Sequence, residues 1–257
     1  MKDIKNPNLV VLTEDFTNGN IVYPIGTNGE LVGGWTGKKE DSIEMLIRID
    51  GKIIGKSDEV KYKKLYITSY KDIMGWFDFQ DIYDLAVEKG KDGDEFLEVG
   101  CFMGKSTAYL LQKIKESGKD IKVCVIDIFQ PECEHHNDLI KDNNDKGENL
   151  YKIFKSNLDS LGLSVHKLIK GKSQENYVIN SFLDNQFSMI FIDAAHDYES
   201  VKADLNNFYP KLKSGGMFAG HDYGEKSCGV GKAVDEFVKE HNLKLDVMTA
   251  SWILIKP

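Results

Sequence analysis

The chain has 257 residues, 41% hydrophobic and 29% charged, which suits one sizeable α/β domain with an appendage, or two small domains. Its net charge is −8, and Arg48 is the one arginine among 33 basic residues, so a duplex nucleic-acid binder is not expected. Cys101, Cys124, Cys133 and Cys228 form no CxxC pair, the N-terminus has no apolar signal core, and no apolar run approaches a membrane span. A soluble, cytoplasmic protein with reduced thiols is the expectation, with no membrane partner.

Residues 1–70 are rich in glycine and poor in helical periodicity. Leu9 to Thr13 and Ile21 to Ile25 read as short strands. Met45 to Ile49, Asp50-Gly51 and Lys52 to Ile54 read as a hairpin, because Asp-Gly suits a type I′ turn. This part is expected to be a small β arm, serving as a lid over a site or as the contact of a homodimer. Trp35, between glycines, is read as the anchor of a loop.

Residues 71–257 form the second predicted domain. Asp78 is placed to cap a helix that carries Phe79, Ile82, Tyr83 and Ala86 on one face and stops at Gly90. Trp76 and Phe77 are expected to pack that helix onto a sheet. Strands and helices then alternate, which predicts a parallel sheet with helices on both faces. The strands are Phe96 to Val99, Ile121 to Ile126, Ser164 to Ile169, Phe187 to Ile192 and Met217 to Ala219. The helices are Ala108 to Ser117, Glu148 to Ser160, Gln174 to Phe182, Val201 to Leu212 and Val230 to Glu240. Leu243 to Val247 and Trp252 to Ile255 close the chain as an antiparallel pair. Pro131 to Glu148, with His135-His136, reads as a polar surface loop.

The stretch Glu95 to Thr107, EFLEVGCFMGKST, is a strand, a glycine turn and a helix start. Such a turn lets the backbone approach a ligand, with the N–H groups that open the helix free to bind it. A Walker loop needs four residues between its glycines, and only Cys101 to Met103 separate Gly100 from Gly104. A dinucleotide turn needs a middle glycine where Phe102 stands. The acid Glu98 beside the turn favours a ligand that carries positive charge. S-adenosylmethionine (SAM), with an ammonium, a sulfonium and one carboxylate, fits that requirement; an ordinary turn with no ligand remains the alternative.

In a doubly wound sheet the ligand lies beyond the carboxyl ends of the strands. Those ends carry Glu98 and Gly100, Asp127, Asp193, and His221-Asp222. An acid at the end of the second strand can accept the hydroxyls of a ribose, which is the reading for Asp127. FLEVGCFMGKST, VIDIF (125–129), FIDAAHDYESVKADL (191–205) and LKSGGMFAGHDY (212–223) together resemble the class I SAM-dependent methyltransferases, in the branch that includes small-molecule and sugar O-methyltransferases. The resemblance covers about 69–257 and implies a Rossmann-like, doubly wound seven-stranded sheet with an antiparallel last strand.

It also implies roles. Glu98 and the Gly100 to Gly104 backbone would hold the methionine end of SAM, and Ser106 its carboxylate. Asp127 would take the ribose, Ser173 would lie near the adenine, and Asp193 would face the methionine amine or a metal. Asp193, His221 and Asp222 would supply ligands to Mg²⁺ or another divalent ion, although Ala195 stands where relatives often carry an acid. His221 is the expected base without a metal, and His196 the base if a metal occupies His221. The acceptor would be a hydroxyl of a small molecule or sugar. Two rivals remain: a P-loop-like nucleotide-binding protein, and a non-catalytic binding subunit of the same fold.

Overall fold

The computed structural model describes the side chains of residues 67–130, 150–224 and 229–257; of residues 9–64 it describes the backbone of seven strands, and at 148–149 that of a helix start. The chain divides into two compact units, Met1–Asp72 and Ile73–Pro257.

The first unit holds β1 (Leu9–Leu12), β2 (Phe16–Asn18), β3 (Ile21–Tyr23), β4 (Asn28–Trp35), β5 (Ile43–Ile49), β6 (Lys52–Lys56) and β7 (Tyr62–Lys64). Five of them form an antiparallel sheet in the order β6-β5-β4-β1-β7, and β2 pairs with β3. The expected hairpin is β5–β6, with Ile49 opposite Lys52. The Asp50-Gly51 turn, the Trp35 side chain, Cys133, Cys228 and the polar stretch 131–147 with its two histidines lie outside the described residues.

The second unit is a seven-stranded sheet. Its strands are β8 (Glu95–Val99), β9 (Lys122–Asp127), β10 (Lys167–Lys170), β11 (Phe187–Ile192), β12 (Leu212–Gly220), β13 (Leu245–Met248) and β14 (Ser251–Ile255). They lie in the order β10-β9-β8-β11-β12-β14-β13. The first five are parallel, and β14, last in the chain, runs antiparallel between β12 and β13. The order reverses between β8 and β11, so their carboxyl ends flank the crevice where such sheets bind ligands.

The strands at the centre are buried almost end to end, because helices cover both faces. The helices are α1 (Gln80–Lys89), α2 (Lys105–Ser117), α3 (Glu148–Ser160), α4 (Asn176–Ile179), α5 (Tyr198–Phe208) and α6 (Val230–Glu240). α6 shows the logic: Val230, Ala233, Val234 and Phe237, spaced for one face, are buried while its acids and lysines are outside. Trp252 of β14, buried against Phe218, closes the core on that side.

Three local expectations are corrected. Asp78 does not cap α1; Phe79 occupies the cap position without a side-chain bond, and the Asp78 carboxylate reaches His221 instead. Trp76 does not pack α1 on the sheet, being 76% exposed, whereas Phe77 and Phe79 do so through ring contacts with Tyr83. The helix expected from Val201 begins at Tyr198, because Asp197 accepts from the Ser200 N–H at 3.0 Å and starts it early.

Candidate active site

A cleft of about 680 Å³ opens at the carboxyl ends of β8, β9, β11 and β12. That volume is of the size that takes a cofactor or a drug-sized ligand. Gly100, Asp127, Ser173, Asp193, His196 and His221 all line it, together with Lys105 and the segment from Met74 to Asp78.

Glu98 does not line it. The side chain is fully buried beneath the turn, accepting hydrogen bonds from Tyr83 Oη (2.7 Å), Ser106 Oγ (2.6 Å) and Thr107 Oγ1. Burial pushes its pKa up to about 7, against the three hydroxyls that favour the anion. The acid expected to touch the ligand therefore fastens the start of α2 to the end of β8 from behind. Ser106 borders the cleft, but its hydroxyl proton points to Glu98.

Both glycines answer to packing against the chain. Gly100 has φ of +90°, and a Cβ there would lie 1.8 Å from the Asp193 carbonyl oxygen. Gly104, at φ +89°, would place one 2.9 Å from the Phe154 ring, and it is not in the cleft wall. Asp127 sits at the end of β9, where its Oδ2 accepts from the N–H groups of Cys101 (2.7 Å) and Phe102 (2.9 Å) and its Oδ1 from Phe129 (2.5 Å). A carboxylate offers about four acceptor positions; three take these N–H groups, and the Cys101 thiol faces the same carboxylate. Across the cleft, Ser173 follows β10, whose end is tied to β9 by Gly171 N–H donating to Asp127 O at 2.9 Å.

The polar cluster lies at the ends of β11 and β12. His196 Nε2 is 2.8 Å from Asp222 Oδ2 and 3.6 Å from Asp193 Oδ1. The carboxylates of Asp193 and Asp222 raise the imidazole to about 10. Asp222 is held well below the usual carboxylate range by hydrogen bonds from His196 and His221. Asp222, at φ +58°, serves two imidazoles, with Oδ2 towards His196 and Oδ1 towards His221. His221 faces Asp222 through Nδ1 (3.2 Å) and Asp78 through Nε2 (2.9 Å). Burial pulls the His221 pKa down, but the surrounding carboxylates outweigh it and the net shift is upward.

Potential ligand atoms of Asp193, His196 and Asp222 lie within 4.8 Å of one another. The expected set of Asp193, His221 and Asp222 is thus altered: among the described residues it is His196 that joins the two acids, while His221 turns towards Asp78. His166 and His241 are exposed and away from the cleft wall. Two cleft residues escaped the sequence: Asp78, whose place before an apolar helix signals a cap, and Lys105, which directly follows the glycine turn.

Residues 97–223 match the family model described as a methyltransferase domain. Among solved structures, the O-methyltransferase NovP superposes with a TM-score of 0.50 at 20% identity, over 69% of this chain and 78% of NovP. The methyltransferase PaMTH1 of Podospora anserina, bound to S-adenosylhomocysteine (SAH), gives 0.51 at 14% identity, over 71% of this chain and 79% of that one. No curated protein sequence matches the chain. The strand order, the cleft at the sheet's reversal and the family match agree: residues 97–223 are a methyltransferase domain, set in the fold of the class I SAM-dependent methyltransferases.

Proposed function

We propose that the protein transfers the methyl group of SAM to a hydroxyl oxygen of a small molecule or sugar, with a divalent metal at Asp193, His196 and Asp222. The observation that carries this reading is the convergence of two carboxylates and an imidazole in the cleft, beside the β8 turn. SAM supplies an already activated methyl group, so the protein's tasks are alignment and management of the acceptor's proton. A divalent ion, when bound, would lower the pKa of a hydroxyl on it.

The residues divide those tasks. Asp127 and the β8 turn orient the ribose side, and Ser173 borders the far end of the cleft. Asp193 and Asp222 offer hard oxygen donors, and His196 a nitrogen that tilts the set towards Mn²⁺ or another transition ion over Mg²⁺. With His196 on the ion, His221 is the other imidazole in the described wall, and its Nε2, now facing the exposed Asp78, would receive the acceptor's proton once the acceptor takes that carboxylate's place.

Calorimetry tests the reading. Binding of SAM with no binding of ATP, and binding of Mn²⁺ that is lost in Asp193→Asn, are expected. ATP binding without SAM binding would return the chain to the nucleotide-binding rival. Mn²⁺ binding unchanged by Asp193→Asn would remove the metal from this site.

A further inference from the structure

The methionyl carboxylate of SAM needs a donor, and the expected one, Ser106, has its hydroxyl proton on Glu98 at 2.6 Å. What Ser106 shows a ligand is an oxygen lone pair, which repels a carboxylate. One position earlier, Lys105 borders the cleft, and its Nζ donates to the Gly75 carbonyl oxygen at 2.9 Å. An ammonium carries three N–H donors, so two remain.

Place in the sheet singles out this lysine. The other lysine in the described cleft wall, Lys172, follows β10, at the edge of the sheet. The methyl group has to point to Asp193, His196 and Asp222, at the ends of β11 and β12. The amino-acid end of SAM therefore lies by β8, between ribose-side Asp127 and that cluster. Lys105 opens the helix that follows β8.

We propose that Lys105 is the residue that recognises the methionyl carboxylate of SAM, and that it does so while holding Gly75. This rests on the cofactor assignment above and names a part of the same site. Gly75 has φ of +132° and belongs to the segment Met74 to Asp78, which forms one wall of the cleft and ends in the Asp78–His221 pair. One ammonium then joins the cofactor to that wall. Binding of the cofactor stiffens the wall that faces the acceptor, and a ligand without the carboxylate does not.

The test compares SAM with decarboxylated SAM, which lacks that one group, by calorimetry on the full chain and on Lys105→Met, Lys105→Arg and Ser106→Ala. A charge-assisted hydrogen bond predicts that the wild type prefers SAM by roughly 10- to 100-fold. In Lys105→Met the ratio is expected to collapse to within about threefold, with Lys105→Arg restoring part of it and Ser106→Ala keeping it. Circular dichroism of each variant confirms that it is folded. Hydrogen exchange in 73–79 is expected to slow with SAM in the wild type and not in Lys105→Met. A ratio unchanged in Lys105→Met, or one that collapses only in Ser106→Ala, overturns the proposal and leaves the cofactor assignment standing. A wild type that binds neither ligand overturns both.

Discussion

His196 and Asp222 meet at 2.8 Å across the ends of β11 and β12, and this contact places a protonated imidazole at the proposed metal position. At neutral pH the imidazolium fills the space between two carboxylates as a cation would. A divalent ion has to displace that proton to use the nitrogen, so its affinity is expected to rise with pH up to the His196 pKa of about 10. Proton release on Mn²⁺ binding, read by calorimetry in buffers of different ionisation enthalpy, checks this. The apo protein shows the converse. A histidine raised from 6.5 to about 10 gives stability that is full below 6.5 and is lost as pH climbs through 10. Asp222→Asn is expected to bring the His196 midpoint, followed by NMR of its ring protons, back towards 6.5. A midpoint that stays put would assign the shift to Asp193 alone.

The two glycines of the β8 turn separate by what stands over them. At Gly100 the obstacle is backbone, the Asp193 carbonyl at 1.8 Å from a would-be Cβ. At Gly104 it is the edge of the Phe154 ring, at 2.9 Å. Both have positive φ, so both alanine variants carry backbone strain of about 1–3 kcal/mol. Gly100→Ala is expected to cost more than about 4 kcal/mol, because two strand ends must part. Gly104→Ala is expected to cost less and to be relieved in part by Phe154→Leu, which Gly100→Ala is not. Denaturant unfolding of the three variants and the two doubles measures the ranking.

The sheet was legible because each central strand is an unbroken apolar run ending in a polar residue, and each long helix has an apolar stripe. β11 and α6 were read with their structural bounds for that reason. The site was legible only as far as its strand ends. Asp127 and Asp193 were placed in the cleft by strand position alone. Sequence could not say which way a side chain points from such an end. Glu98 and Asp127 both follow apolar runs, yet one turns under the helix to three hydroxyls and the other out to the turn's N–H groups. His196 and His221 likewise differ by a partner distant in the chain, Asp222 for the first and Asp78 for the second.

Asp127 is expected to govern cofactor affinity through the turn as well as by direct contact. Its two oxygens take three backbone N–H groups, and an asparagine, with one acceptor oxygen, cannot keep all of them. Asp127→Asn should weaken SAH by about 10- to 100-fold, the equivalent of one charge-assisted bond of about 1.5–3 kcal/mol. Asp127→Glu, charged but one methylene too long, is expected to fare no better. Calorimetry with SAH measures both, and a Glu variant that binds as tightly as wild type would reduce Asp127 to a charge.

Glu98 is expected to make the folded domain less stable as pH rises. Burial raises this acid from 4.5 to about 7. Below 4.5 it is protonated in both folded and unfolded chains and costs nothing. Between 4.5 and 7 the unfolded chain releases the proton while the folded one keeps it. Above 7 the folded state carries a buried anion, and the full penalty, about 3 kcal/mol for such a shift, is present. Glu98→Gln removes the titration but keeps an acceptor for the hydroxyls of Tyr83, Ser106 or Thr107. Its stability relative to wild type should therefore improve from pH 5 to pH 8, measured by denaturant unfolding at each pH. A difference that stays flat across that range would mean that the three hydroxyls hold the anion at its ordinary pKa, and that the acid beneath the turn is charged whenever the protein works.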